Sequence, residues 1–139
     1  MTSYEVVYRR FLNRTTDFNL AELDDDTLNE MLKGWLHSAI IRVRTAGDLS
    51  KYDDEIQQFN EDLSDLDIEL LALGMTLAWL DQTLNSTENT LMFIGGKEEK
   101  FYSQANHIAE LRNLRADILR EMQQLYTYST YANNDYFDN

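Results

Sequence analysis

Residues 63–84 read LSDLDIELLALGMTLAWLDQTL, and the rest of the chain has to be arranged around them. Between Ile68 and Leu80 only Glu69, Gly74 and Thr76 interrupt the apolar side chains. A helix that is apolar on every side must be surrounded by protein or by lipid. Lipid is disfavoured, because a spanning helix needs about 20 consecutive apolar residues and this run is shorter and preceded by Asp62, Asp65 and Asp67. The expected element is a central buried helix over 64–84. Ser64 is its N-cap, Asp67 sits at the acceptor position of a capping box, and Leu63 is placed to staple onto Ile68.

The flanking sequence supplies helical partners. There is no proline in the 139 residues, and only five are glycine. Leu, Ala, Glu, Gln, Met and Arg recur at helical spacing, so the fold class is all-α, a small helical bundle, with no convincing strand. Tyr4 to Asn13 forms a short first helix behind a Thr2 or Ser3 cap, with Val7, Phe11, Tyr8 and Leu12 inward and Glu5 four residues before Arg9. Asp24 caps a second helix over 25–44, whose stripe is Leu28, Met31, Leu32, Trp35, Leu36, Ala39, Ile40 and Val43, with Gly47 placed to end it.

The most polar stretch, residues 47–62, reads as a loop with one short helical turn anchored by Tyr52, Ile56 and Phe59. After the central helix, Asn85-Ser86-Thr87 should reset the chain and cap a short helix over 88–94, stopped by Gly95-Gly96, with 97–100 as a charged turn. Ser103 caps a long last helix, 103–128, with Ile108, Leu111, Leu114, Ile118, Leu119, Met122, Leu125 and Tyr126 on one stripe. Residues 1–128 are expected to form one domain, and 129–139 an extended, Tyr-rich tail.

Charge and residue chemistry narrow the function by exclusion. The net charge is −13, from 25 acidic and 12 basic side chains, which argues against gripping a phosphate backbone. A strongly acidic surface can repel DNA, imitate it, or dock a basic partner. Acid is concentrated in two segments, 17–30 and 48–69. With no cysteine, disulfides, thiolate metal sites and thiol nucleophiles are excluded. The N-terminal residues lack the apolar core of a signal peptide, so a cytoplasmic site of synthesis is expected.

Asp24-Asp25-Asp26 and Asp53-Asp54-Glu55 lack the alternating ligands of a calcium loop. His107 and Glu110 stand at i, i+3, but a di-iron bundle needs a second such pair, and His37 has Ile40 at that position. Gly95-Gly96-Lys97 is not a phosphate loop. No nucleophile with a supporting base is visible. No metal, cofactor or catalytic residue is therefore assigned, and Trp35 and Trp79 are read as core. Tyr128, Tyr131, Tyr136 and Phe137 lie in or beside a segment too polar to fold alone, so they either fold back on the bundle or dock onto a partner, where Tyr is favoured.

Two stretches, FNEDLSDLDIELLALGMTLAWL at 59–80 and KFYSQANHIAELRNLR at 100–115, resemble small helical proteins encoded in the structural gene clusters of tailed bacteriophages and prophages. The resemblance covers roughly 59–128, more weakly 23–44, and it is to the head–tail connectors, the adaptors of the virion neck. It implies a virion structural protein with no enzymatic activity, made in the host cytoplasm and assembled in the neck. It further implies a homo-oligomeric ring, dodecameric to match the portal, closed by heterologous contacts. The partners would be the portal protein and the next neck or tail protein, with DNA passing through unbound and no membrane involved. In that setting Asp24, Asp25, Asp26, Asp53, Asp54 and Glu55 are candidate channel-facing acids, since a negative lumen lets a duplex slide. Tyr128, Tyr131, Tyr136 and Phe137 become a docking arm. The competing expectation is an acidic DNA mimic that occupies the basic groove of a host nuclease or DNA-binding protein.

Overall fold

A computed structural model describes residues 1–15, 23–94 and 98–132. Among them are four helices, α1 (Tyr4–Arg14), α2 (Asp25–Arg42), α3 (Asp65–Ile94) and α4 (Glu98–Ala132). The architecture is the expected small helical bundle, and α3 is its centre, packed against α1, α2 and α4 together.

Every residue from 70 to 78 is buried. Each of the three residues that interrupt the apolar run has a structural use. Glu69 lies at the rim, where its carboxylate accepts hydrogen bonds from Arg10 and Arg14 of α1. The buried Thr76 hydroxyl donates to the Ala72 carbonyl at 2.8 Å, so it stays satisfied inside the helix. Gly74 is where α2 crosses: a Cβ there would lie 2.8 Å from Val43 Cγ1 and 2.9 Å from Ala39 Cβ.

The N-terminus of α3 is built partly as the sequence suggests. Ser64 Oγ accepts from the Asp67 amide at 3.1 Å. Asp67 does not return a capping-box bond. It is 2 % exposed, and its carboxylate accepts from the amides of Ala46 and Gly47 at 3.1 and 3.0 Å. That pair of bonds ties the segment after α2 to the start of α3. Gly47 accordingly does not end α2, which stops at Arg42, with Val43 extended and its amide bonded to the Ala39 carbonyl. Gly47 packs instead against Leu63 and Asp67, leaving no room for a side chain.

Two helices run further than expected. Asn85-Ser86-Thr87 does not break α3, and within the continuing helix the Thr83 and Thr87 hydroxyls donate back to the carbonyls of Trp79 and Thr83 at 2.9 and 2.8 Å. A threonine that bonds its own helix is not acting as a cap. The expected Gly95-Gly96 stop lies outside the described residues, and α3 reaches Ile94. Ser103 is interior to α4, which starts at Glu98 and continues past 128 to Ala132. At 1.5 Å per residue α4 is about 50 Å long.

Polar residues 47–62 hold a small sheet where a helical turn was expected. Strands β1 (Thr2–Ser3), β2 (Tyr52–Asp53) and β3 (Gln58–Phe59) pair antiparallel in the order β1-β3-β2. Phe59 lies opposite both Thr2 and Tyr52. The β2–β3 hairpin turns through 54–57, with Gln57 at φ 52°. Buried Thr2 clamps β1 to the approach to α3, its hydroxyl donating to the Glu61 carbonyl at 2.9 Å and accepting from the Leu63 amide at 2.8 Å. Ser3 then caps α1 through the Glu5 amide. Phe59 is fully buried, whereas Tyr52 and Ile56, also expected as anchors, are exposed, Tyr52 on β2 and Ile56 in the turn.

Two glycines make a paired test of this packing. Gly34→Ala, where nothing lies within 4 Å of the added Cβ, is expected to stabilise the chain by about 0.5–1 kcal/mol through helix propensity. Gly74→Ala meets Ala39 and Val43, and its overpacking cost of about 1–3 kcal/mol should exceed that gain. Urea unfolding of the two variants should therefore move the midpoint in opposite directions.

Candidate functional site

Three polar features and one groove are built onto the bundle. The first is an ion triad across three helices. Asp81 of α3 accepts from Arg42 of α2 at 2.9 Å and from Arg115 of α4 at 2.8 Å. Burial works against its ionisation, but the two guanidiniums outweigh burial and hold its carboxyl below the usual range. The second feature lies at Glu69, where Arg10 and Arg14 of α1 converge and Arg14 also reaches Glu121 of α4 at 2.8 Å. Arg112 of α4 adds a bond to Glu88 of α3 at 2.7 Å. The arginines of α4 thus largely answer acids on other helices, which its nearly neutral composition does not reveal.

The third feature joins the hairpin to α1 and α2. Asp54 Oδ1 accepts from the Tyr4 hydroxyl at 2.7 Å and lies 3.0 Å from His37 Nε2. These two hydrogen bonds hold the Asp54 carboxyl below its ordinary range. His37 and Tyr52 rings stack tilted at 5.7 Å, and Tyr52 meets Phe59 edge-on at 6.2 Å. Burial, and then the hydrogen bond to Asp54, push Tyr4 well above the ordinary tyrosine range. Tyr8 beside it is raised mainly by burial, and its hydroxyl is buried without a partner among the described residues. This cluster fixes the hairpin and opens onto no cleft among those described.

The acids singled out in the sequence fall into two sets. Asp24, Asp25 and Asp26 are exposed at the N-terminus of α2, where the helix dipole favours them. Asp24 occupies the N-cap position without a side-chain cap bond. Asp53 and Glu55 are exposed at the hairpin, Asp53 accepting from the Glu55 amide at 2.9 Å. Among the described residues none of these five makes an ion pair, whereas Asp54 is committed to Tyr4 and His37. His37 and the hairpin meet α2 about 16 Å along its axis from Asp26, so the structure puts both acidic runs on or against one helix without merging them.

Of the aromatic residues assigned to docking, Tyr128 stands 65 % exposed on α4. Tyr131 is also in the helix, and Tyr136 and Phe137 lie outside the described residues. Two further residues expected in the core of α4, Leu114 and Leu119, are 42 % and 43 % exposed. Leu12 of α1, also expected inward, is exposed. Leu119 borders an open groove of about 360 Å³ between the end of α2, α3 and α4, floored by Leu77 and Met122, bounded by Tyr126 and rimmed by Arg42 and Arg115. The Tyr126 ring also carries the Arg44 guanidinium, 4.8 Å from its centroid. A one-sided stripe on α4 signalled burial, but α3 is too narrow to cover both of its flanks.

Trp35 is core, packed on Phe11 at 5.5 Å with its indole N–H donating to Gln82, and Trp79 is partly buried. His107 is exposed. Among the described residues no group of three or more His, Asp or Glu is placed to hold a metal, and no helix is long and apolar enough to cross a membrane. No protein-family description, no curated protein and no solved structure matches the chain.

The raised tyrosines set an alkaline test. Both keep their protons in the folded state at a pH where the unfolded chain has begun to lose them, near 10. Above that pH the folded state binds more protons, so stability falls by up to about 1.4 kcal/mol per pH unit for each tyrosine. Tyr4→Phe should weaken the fold modestly at pH 7 and make it less steeply pH-dependent between 10 and 12. Fluorescence-detected urea unfolding across that range measures both effects.

Proposed function

We propose that the protein is a structural building block that acts by docking, a head–tail connector of a tailed phage or prophage. Copies pack side by side in a ring below the portal, expected to be dodecameric, and the next neck or tail protein binds beneath. Its place is the virion neck, and its contribution is shape and charge without catalysis.

The observation that supports this reading is the division of labour between the charged residues. Arg9, Arg10, Arg14, Arg42, Arg112, Arg115 and Arg120 are all engaged with carboxylates of the same chain. Asp24, Asp25, Asp26, Asp53 and Glu55 face solvent with no such partner among the described residues. These arginines are thus answered within the chain, some between helices and some on the surface, while these acids are left without a counter-charge. A wall past which DNA slides needs that distribution, because phosphate finds no counter-charge to hold it. Tyr128, exposed near the C-terminal end of α4, offers an aromatic anchor of the kind that interfaces favour.

Sedimentation of the purified chain with an assembled phage portal ring tests the proposal. The expected outcome is stoichiometric co-sedimentation, weakened at least tenfold by Tyr128→Ala with an unchanged melting temperature. Reversing Asp24, Asp25 and Asp26 to Lys should leave portal binding intact but raise the affinity of the assembled ring for duplex DNA, with a steep salt dependence. A chain that ignores the portal and instead binds a basic DNA-binding protein in competition with DNA would be a mimic, and the connector reading would be wrong.

A further inference from the structure

Two surfaces of the chain are left open and complement one another. The first is the groove between α2, α3 and α4. Its floor, Leu77 and Met122, is buried, but Leu119 on its wall remains 43 % exposed. Arg44 stands at its Tyr126 end, the guanidinium over the ring and the amide donating to the Tyr126 hydroxyl at 3.2 Å. Arg42 and Arg115 on the rim are answered by Asp81, but among the described residues Arg44 is the one arginine without a carboxylate partner. The second surface is the tip of the β2–β3 hairpin. Ile56 is 60 % exposed there, and its neighbours Asp53 and Glu55 are exposed acids that make no ion pair among the described residues.

We propose that the hairpin tip of one copy seats in the groove of the next, with Ile56 covering Leu119 and with Asp53 and Glu55 facing Arg44. The chain's own hairpin does not serve. Asp54 pins it to Tyr4 of α1 and His37 of α2, whereas the groove meets α2 at Arg42, five residues on and about 140° round the helix. The two surfaces therefore lie on different flanks of α2 and stay open in a single chain. A second copy carries the missing half of each.

Apolar cover holds such a contact, because Leu119 and Ile56 both leave water. Charge selects its register. Two chains of net charge −13 repel one another as wholes, so the acids of an approaching hairpin are stabilised where a cation is still unanswered, at Arg44. Because hairpin and groove differ, the contact is heterologous, and repetition closes a ring or extends a filament. The proposal rests on the connector reading in taking a copy of this chain as the partner. It assigns Asp53 and Glu55 to the seam between copies and leaves Asp24, Asp25 and Asp26 for the lumen.

The chain has no cysteine, so single engineered thiols report the contact without background. A Glu55→Cys chain is first loaded with a short bismaleimide, Asp53 staying in place to face Arg44. It is then mixed at submillimolar concentration with a Gln123→Cys chain, whose thiol lies at the groove, or with a Gln124→Cys chain, whose thiol is about 100° further round α4 and away from it. All three substitutions replace exposed side chains, circular dichroism verifies folding, and each coupling rate is divided by that thiol's rate with N-ethylmaleimide. The Gln123→Cys chain is expected to couple at least tenfold faster than the Gln124→Cys chain, and faster than a second Glu55→Cys chain. Ile56→Ser in the loaded chain should abolish the preference, and Arg44→Gln in the groove chain should lower it at least threefold. Equal rates at the two α4 positions, faster coupling of hairpin to hairpin, or a preference that either substitution leaves undiminished overturns the proposal. Portal co-sedimentation is read separately on the wild-type chain. Portal binding without hairpin-to-groove coupling removes this contact and keeps the connector, whereas coupling without portal binding keeps the contact and removes the connector.

Discussion

One helix must be hidden on every side. From 70 to 78 α3 offers no polar face to solvent, and in 139 residues only a ring of neighbours can cover it, because each flanking helix has one apolar stripe to give. That requirement explains why α1, α2 and α4 all touch α3. It also explains why the close crossing falls at Gly74, where the absent side chain lets Ala39 and Val43 approach. The same demand reaches the ends of the helix. Asp67 ties down the segment from α2, Thr2 ties down β1, and both are buried polar residues whose bonds are made. Leaving either unmet inside the fold would cost about 1–3 kcal/mol for each orphaned group.

A core of this kind is non-directional, since apolar area does not care which helix supplies it. Direction comes from the arginines. Asp81 draws α2 and α4 to one point on α3, and Glu69 and Arg14 draw α1 and α4 to another. Each bond is half-exposed and modest in energy. Their value lies in specifying register, because a helix rotated or shifted by one turn would strand a charge. The consequence is electrostatic as well as structural. Arginines already paired within the chain cannot screen acids elsewhere, so a net charge of −13 understates how negative the exposed Asp24, Asp25, Asp26, Asp53 and Glu55 are.

The sequence made the bundle legible because its signals were long. Thirteen residues of apolar run and the stripe of α2 outweigh any local ambiguity, and Trp35, Leu36 and Ala39 are buried as their spacing requires. What it concealed was short or non-local. Two-residue strands have no periodicity to detect, and the turn that joins β2 to β3 places Gln57, not a glycine, at positive φ. Thr83 and Thr87 have the same composition whether they cap a new helix or bond back into the old one, and only the continuing helix reveals which. Asp67 fitted a capping box by spacing, but the amides of Ala46 and Gly47 took its carboxylate instead. Of the candidate acids, Asp54 looked identical to its neighbours, and its difference lies in Tyr4 and His37, fifty and seventeen residues away.

The exposed flank of α4 follows from the same geometry. A helix with apolar residues at 111, 114, 118, 119, 122 and 125 presents an arc wider than one neighbour can cover. α3 takes the middle of that arc, burying Leu111, Ile118 and Met122, and leaves Leu114 and Leu119 open on either side. Leu114 borders a smaller cleft beside Arg14 of α1 and Thr15 just past its end, and Leu119 borders the groove beside Arg42 of α2. Both flanks therefore combine uncovered apolar surface with an arginine already engaged by a carboxylate. A surface of that composition calls for apolar cover before charge, because those arginines are already answered and a charged ligand alone would leave the leucines in water.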